Sequence, residues 1–210
     1  MNLQYYYWWF KSAISPRICD DIVKYGLRHQ EGIATTGGLG RGRDLEKQPL
    51  NKKEIKDLKK KRDSNIVWMN DRWIYKEIHP YVRQANHNAG WKFNWDYSES
   101  CQFTKYKLGQ YYDWHCDSWE GVYEKEGPTK GKIRKLSVTV SLSDEKDYSG
   151  GELEFQFRNM DNPKVRRVCK EILPKGSIVV FPSFVWHRVK PIKKGVRYSL
   201  VLWNLGYPFQ

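Results

Sequence analysis

The sequence predicts a mainly β fold with helices at its front, an antiparallel sandwich or barrel. Two observations carry this. From Trp91 onward, short runs rich in aromatic and β-branched residues recur at 101–107, 111–116, 133–142, 152–157, 177–181, 185–189 and 196–202. Turn clusters separate them: Gly109-Gln110, Ser149-Gly150-Gly151, Pro174-Lys175-Gly176 and Lys193-Lys194-Gly195. Strands are built from such residues, and such clusters reverse the chain between them. Before Trp91 the texture is different, with helical periods and charge.

The front elements follow in order. Ser15-Pro16 opens a helix: Ser suits the N-cap, Pro suits the first helical position, and Asp20 and Asp21 are placed in its first turn. Ile18, Ile22 and Val23 give it an apolar stripe. The glycine-rich stretch 35–43 has no apolar period and lacks the Gly-Lys-Ser/Thr ending of a phosphate-binding loop, so it reads as a mobile loop. Residues 52–61 are a short charged helix or part of the same flexible segment. Residues 70–88 carry Trp73, Ile74, Ile78, Tyr81, Val82 and Ala85 at helical spacing, with Gly90 just past the end. Pro80 lies inside this helix and is expected to kink or divide it. No internal repeat and no domain boundary is visible. The expectation is one domain over 1–210, with 1–90 as helical support and mobile loop and 91–210 as the core.

Composition narrows the class. Lys and Arg exceed Asp and Glu by 37 − 24 = 13. That charge favours acidic partners such as nucleic acid, an acidic peptide or a small anion, although a run such as 47–62 is ordinarily a solvated face. No apolar run is long enough to span a membrane, and the aromatic start does not read as a signal peptide. The four cysteines, Cys19, Cys101, Cys116 and Cys169, are scattered without a C-x-x-C pair, which fits a reduced, cytoplasmic protein better than a disulfide framework.

The chemistry lies in His115-Cys116-Asp117, with His187 and Arg197 further on. On a strand, residues i and i+2 share a face. His115 and Asp117 would converge while Cys116 points away. His187 starts another strand, and Arg197 lies on the strand after that. Alone, each residue has an ordinary reading as a surface pair, a hydrogen-bonded histidine or a surface cation. Their order on strands of one all-β segment is what points to a site. Two imidazoles and one carboxylate form the facial ligand set of non-haem Fe(II) oxygenases. A keto acid that chelates the metal would leave a distal carboxylate, costly to bury alone. An arginine offers it a two-pronged, charge-assisted hydrogen bond. The same donors also hold catalytic zinc, but Arg197 and the missing His-Glu-x-x-His pattern disfavour hydrolysis.

Around these residues the sequence resembles a known family. Tyr106-x-x-Gly109-x-x-Tyr112-x-x-His115-x-Asp117, Gly150-Gly151-Glu152-Leu153, Pro174-x-Gly176-x-x-x-x-Phe181, His187 and Arg197-Tyr198-Ser199-Leu200 are similar to the Fe(II)/2-oxoglutarate dioxygenases of the prolyl 4-hydroxylase type. The resemblance covers about 66–207 and implies a double-stranded β-helix (jelly-roll) core. It implies His115, Asp117 and His187 as iron ligands and Arg197 as the cation for the 2-oxoglutarate C5 carboxylate. Tyr106 resembles a residue that bonds the co-substrate. Tyr112, Arg134 and Trp203 resemble the lining of a substrate-proline pocket. Ser137, Thr139 and Ser141 are candidates for a second C5-carboxylate partner. The implied reaction couples O2 activation and decarboxylation of 2-oxoglutarate to succinate and CO2 with hydroxylation of a proline in a peptide, with ascorbate as a supporting reductant. The segments 35–63 and 118–132 are candidates for closing over the site. Alternatives are the same chemistry on a free amino acid, a lysyl side chain or a nucleobase, or a non-catalytic metal-binding jelly roll in a larger assembly. Trp203 stands where the nucleic-acid repair branch carries a second Arg, which disfavours a nucleobase.

Overall fold

The computed structural model describes residues 3–36, 47–118, 121–157 and 166–209. In chain order its elements are β1 (Trp8–Phe10), α1 (Pro16–Leu27), β2 (Gly32–Ile33), α2 (Lys52–Lys59), β3 (Arg62–Asp63), β4 (Asn65–Met69), α3 (Arg72–Asn88), β5 (Tyr97–Ser98), β6 (Cys101–Tyr106), β7 (Tyr111–His115), β8 (Ile133–Ser141), β9 (Tyr148–Gly150), β10 (Leu153–Gln156), β11 (Arg166–Val168), β12 (Ile178–Pro182), β13 (Trp186–Val189), β14 (Ile192–Gly195) and β15 (Arg197–Gly206). The strands form a major sheet, β1-β12-β8-β15-β6-β4-β2 with β5 on β15, and a minor sheet, β11-β10-β13-β7-β3. A small ribbon pairs β14 with β9. Every pairing is antiparallel. The fold is the mainly β jelly roll that the sequence predicts.

The front helices form for the expected reasons, with two differences. Ser15 caps α1 by accepting from the Ile18 N–H. Asp20 and Asp21, expected in the first turn, fall beyond it. Asn51 and Glu54 close a reciprocal capping box on α2, which decides for a helix in a segment of weak apolar content. α3 runs through Pro80 as one element, with Ile74, Ile78, Val82 and Ala85 buried. Pro80 lies on the exposed face. The front third also supplies β1, β2 and β4 to the major sheet, which its texture did not announce. Of the glycine-rich stretch, residues 37–43 lie outside the described residues. Of the two segments expected to close over the site, so do 37–46 and 119–120.

The major sheet is buried on both faces, and its faces differ. Leu136, Val138, Val140, Leu200 and Leu202 point to α1 and α3 and form one core with Ile22, Ile74, Ile78 and Phe103. The alternate positions, Gln102, Thr104, Ser137, Thr139, Arg197 and Ser199, point to the minor sheet, and all are buried. A doubly covered sheet ordinarily carries apolar side chains on both faces. Here one inner face is polar at its middle, and buried polar groups need partners. Apolar packing between the sheets lies to one side, around Leu153, Phe155, Val179, Phe181 and Val189.

One turn shows how tightly the front is docked. Gly176 has φ +79°, its carbonyl accepts the Ile14 N–H at 2.9 Å, and a Cβ added there would lie 1.9 Å from the Ile14 carbonyl oxygen. Gly176→Ala would force both a strained backbone and a displaced N-terminal segment. A loss of about 3 kcal/mol of stability is expected, measurable by urea unfolding.

Candidate metal centre and its cavity

β7 and β13 are neighbours in the minor sheet, and their register sets His115 opposite His187. The two rings lie 4.1 Å apart. Asp117 reaches them in a way strand periodicity does not describe. β7 ends at His115, and Asp117 sits in the turn that follows. The Ser183 carbonyl fixes that turn by accepting the N–H groups of Asp117 and Ser118 at 2.8 and 2.9 Å. Cys116, expected to point away, is among the residues lining the cavity.

The donor atoms are prepared for a cation. The His115 Nδ1 lies 2.7 Å from the Asp113 carbonyl, and the His187 Nδ1 lies 3.0 Å from the Val185 carbonyl. A carbonyl only accepts, so each Nδ1 carries its hydrogen, which leaves each Nε2 as the nitrogen available to a metal. Both Nε2 atoms face the carboxylate: His115 to Oδ1 at 3.8 Å and His187 to Oδ2 at 3.6 Å. These gaps are too long for hydrogen bonds. All three ligand atoms lie within 4.8 Å of one another. Burial alone would raise the Asp117 carboxyl, but the imidazoles of His187 and His115, the Arg134 charge and the Ser137 hydroxyl bring it down to about 2. Burial, and then the neighbouring His187, push His115 well below its ordinary value, so its ring is neutral at pH 7. A carboxylate held low and two imidazole Nε2 atoms turned toward it form a donor set that a hard-to-borderline divalent metal takes. The residues fit an Fe(II) ion.

Ser137 explains how the carboxylate is aimed. Its hydroxyl donates to Asp117 Oδ2 at 2.7 Å and contacts the Ser183 hydroxyl at 2.9 Å. Ser137 is wholly buried. Ser137→Ala is expected to weaken Fe(II) or Zn(II) binding about tenfold with little change in fold, measured by competition with a chromophoric chelator.

The triad opens on a cavity of about 1160 Å³ between the two sheets, room for more than one small ligand. Tyr106, Tyr112, Arg134, Arg197 and Trp203 all line it, as the sequence predicts. Arg197 does not stand on the strand directly after β13, because β14 intervenes; it opens β15, paired with Tyr106 of β6. It is 2 % exposed, and the Ser199 hydroxyl at 3.3 Å and the Tyr106 ring at 5.6 Å are its neighbours. No carboxylate among the described residues pairs with it. Gly151 makes room for it, since a Cβ there would lie 3.0 Å from the Arg197 Cδ.

Of the three hydroxyl candidates on β8, Thr139 lines the cavity, Ser137 serves Asp117, and Ser141 bonds the Ser143 carbonyl. Arg134 is held bidentately by Glu99 at 2.8 and 2.5 Å, and its guanidinium lies 3.9 Å from the Trp203 ring centre. It is therefore a neutralised wall rather than an open anion receptor. Trp203 Nε1 is buried without a hydrogen-bond partner among the described residues. Tyr112 stacks on the His115 ring at 3.4 Å and shares a 3.0 Å hydrogen bond with Thr36. Sequence reasoning missed Glu99, Ser183 and Arg62. Only Arg62 left a signal, a basic residue just before the apolar, β-branched run of 65–69.

Comparison with known proteins agrees with this geometry. Residues 101–204 match the model of the 2OG-Fe(II) oxygenase superfamily. A PKHD-type hydroxylase from Synechococcus sp. (strain CC9902) is 38% identical over 109 residues, 51% of this chain and 42% of the relative. The chain thus matches well under half the length of that curated relative. Among solved structures, the viral collagen prolyl hydroxylase of Paramecium bursaria Chlorella virus-1, in its 2OG complex, superposes with a TM-score of 0.62 at 19% identity over 97% of both chains. A prolyl hydroxylase from Trichoplax adhaerens, in complex with a hypoxia inducible factor oxygen degradation domain peptide fragment, gives 0.66 at 14% identity over 96% of this chain and 84% of that one. With the family model covering both histidines, the aspartate and Arg197 on a jelly-roll scaffold, the chain belongs to the 2OG-Fe(II) oxygenase superfamily.

Proposed function

We propose that this chain is an Fe(II)- and 2-oxoglutarate-dependent dioxygenase that hydroxylates a peptidyl proline. The observation that carries the reading is Arg197: a buried guanidinium, without a carboxylate partner among the described residues, in the same cavity as a His-Asp-His cluster. An uncompensated buried cation is costly. It is retained where a ligand supplies the anion.

His115, Asp117 and His187 hold the metal. Bound there, Fe(II) supplies O2 activation coupled to decarboxylation of 2-oxoglutarate to succinate and CO2, and the oxidation of a substrate C–H. Arg197 and the Thr139 hydroxyl take the C5 carboxylate, and Tyr106 closes the wall beside them. Tyr112, Trp203 and the Glu99-neutralised Arg134 shape the substrate end. A neutral wall of rings suits a proline side chain, and the unpartnered Trp203 N–H suits a peptide carbonyl. The prolyl hydroxylase neighbours, one of them bound to a peptide, favour this substrate class over a free amino acid, a lysyl side chain or a nucleobase. Ascorbate serves as an added reductant that keeps the metal ferrous. The reading treats residues 1–210 as one catalytic domain working in a reducing, cytoplasmic setting. That setting suits four cysteines outside any disulfide.

The test is incubation with Fe(II), 2-oxoglutarate, ascorbate and a pool of proline-rich peptides. A gain of one oxygen on proline, with matching succinate, is expected. Succinate without modified proline would reject the substrate. Neither product would reject the enzyme.

A further inference from the structure

Arg62 is a second buried cation of the same cavity, and the proposed reaction does not use it. It opens β3 and is 4 % exposed. Its Nε donates to the Ser64 hydroxyl at 3.0 Å and its Nη1 to the Thr35 carbonyl at 3.4 Å. Its guanidinium lies 4.5 Å from the Tyr112 ring centre, and that ring stacks on His115. No carboxylate among the described residues pairs with it. The contrast is Arg134, which lines the same cavity and is neutralised by Glu99. A guanidinium has five N–H donors, and two of these are engaged among the described residues. 2-Oxoglutarate does not account for Arg62. It has two carboxylates, and the reading above assigns one to Arg197 and the other to the metal centre.

The approach to Arg62 is basic as well. α2 ends at Lys59, and Arg62 follows at once; Lys52, Lys53, Lys56, Lys59, Lys60 and Lys61 are exposed around it. Lys52, Lys53, Lys56 and Lys61 make no ion pair among the described residues. The segment is anchored to the strand that carries Tyr112 and His115. The Tyr111 hydroxyl bonds the Lys59 and Lys60 carbonyls at 3.0 Å, and the Asp113 N–H donates to the Lys61 carbonyl at 2.8 Å. A lysine-rich segment anchored to β7 therefore adjoins a buried cation one ring away from a candidate metal ligand.

We propose that Arg62, with the Thr36 and Tyr112 hydroxyls, is a carboxylate subsite for the substrate, and that the substrate is an acidic peptide with a carboxylate side chain close to the oxidised residue. The proposal rests on the oxygenase reading and deepens it. A carboxylate at the end of a side chain can reach a buried guanidinium and accept two parallel N–H bonds. A backbone phosphate of nucleic acid would have to bury its flanking sugars to get there. The lysines of α2 would speed and steer association, and their contribution would be screened by salt; the Arg62 contact, being buried, would be screened far less.

The experiment uses the full chain under argon with Fe(II) and 2-oxoglutarate. Two fluorescein-labelled proline peptides are compared by anisotropy, one flanked by glutamates and its twin flanked by glutamines. 2-Oxoglutarate affinity is measured in parallel. The glutamate peptide is expected to bind about tenfold more tightly. Arg62→Gln should erase that preference while changing 2-oxoglutarate affinity less than about threefold, and Arg62→Lys should keep part of it. Equal binding of the two peptides, or a preference that survives Arg62→Gln, would overturn the proposal. So would a loss of 2-oxoglutarate affinity in Arg62→Gln as large as in Arg197→Gln, which would give Arg62 to the co-substrate. Displacement of the peptide by a single-stranded oligonucleotide in an Arg62-dependent way would make the surface a nucleic-acid site and overturn it too. Circular dichroism monitors folding; if Arg62→Gln does not fold, Arg62→Lys carries the comparison, and an unchanged preference there counts against the subsite. A wild-type chain that fails to bind 2-oxoglutarate would instead sink the oxygenase reading, whatever the peptides do.

Discussion

Arg197→Leu is expected to raise the Kd for 2-oxoglutarate about 100-fold and, at the same time, to make the ligand-free protein more stable. The two effects have one cause. Among the described residues the Arg197 guanidinium, 2 % exposed, is bonded to a single hydroxyl. Its desolvation is uncompensated, so a side chain of similar volume without charge relieves about 1–2 kcal/mol. With the C5 carboxylate bound, the same charge makes a buried, hydrogen-bonded pair, and removing one partner of such a pair costs about 3 kcal/mol, or ~100-fold in affinity. Thermal unfolding with and without 2-oxoglutarate reads both. Wild type should gain several degrees on ligand addition, as any ligand selective for the folded state produces. Arg197→Leu should start higher and gain almost nothing. A structural arginine would behave the other way, with stability falling on substitution and ligand response unchanged.

The second large effect is at the triad. His187→Ala should reduce metal affinity at least about 100-fold and abolish succinate formation, because it removes a donor and not merely a residue that aims one. The ring also fills space against Phe181, 4.6 Å away, and Phe155, 6.2 Å away. Truncation therefore costs stability as well, about 2–3 kcal/mol by analogy with other buried truncations. Asp117→Asn separates the two. It keeps shape and the Ser137 contact while removing the charge that makes the cluster a cation site. Loss of metal in Asp117→Asn with a near-normal melting temperature would assign the effect to ligation. Retained metal in either variant would reject the triad.

The candidate metal and co-substrate residues were legible in the sequence because their positions are local and periodic. His115 and Asp117 lie two apart at the end of an aromatic run. His187 and Arg197 sit in β-branched runs bounded by turns, and the register of β13 on β7 then sets one histidine opposite the other. Even so, the reason first given for Asp117 was incomplete. Its position comes from Ser183 and Ser137, 66 and 20 residues away in sequence, rather than from strand alternation.

What the sequence determined by itself is what pattern encodes. The β class, seven of the strands from 101 onward, the capped first helix and the identity of the chemical groups follow from side-chain period, turn residues and donor types; β9 and β14 fall on clusters that read as turns. What only the tertiary structure decided is which charges are paired and which are not. Arg134 and Arg197 are arginines on predicted strands, Arg62 is one on a strand that the sequence did not announce, and residue type does not distinguish them. Glu99 reaches Arg134 across 35 residues and cancels it, whereas no carboxylate among the described residues meets the other two. Whether a buried charge is met by an opposite one depends on contacts between distant segments, and electrostatic energy in a dry cavity depends on that meeting far more than on the residue's own type.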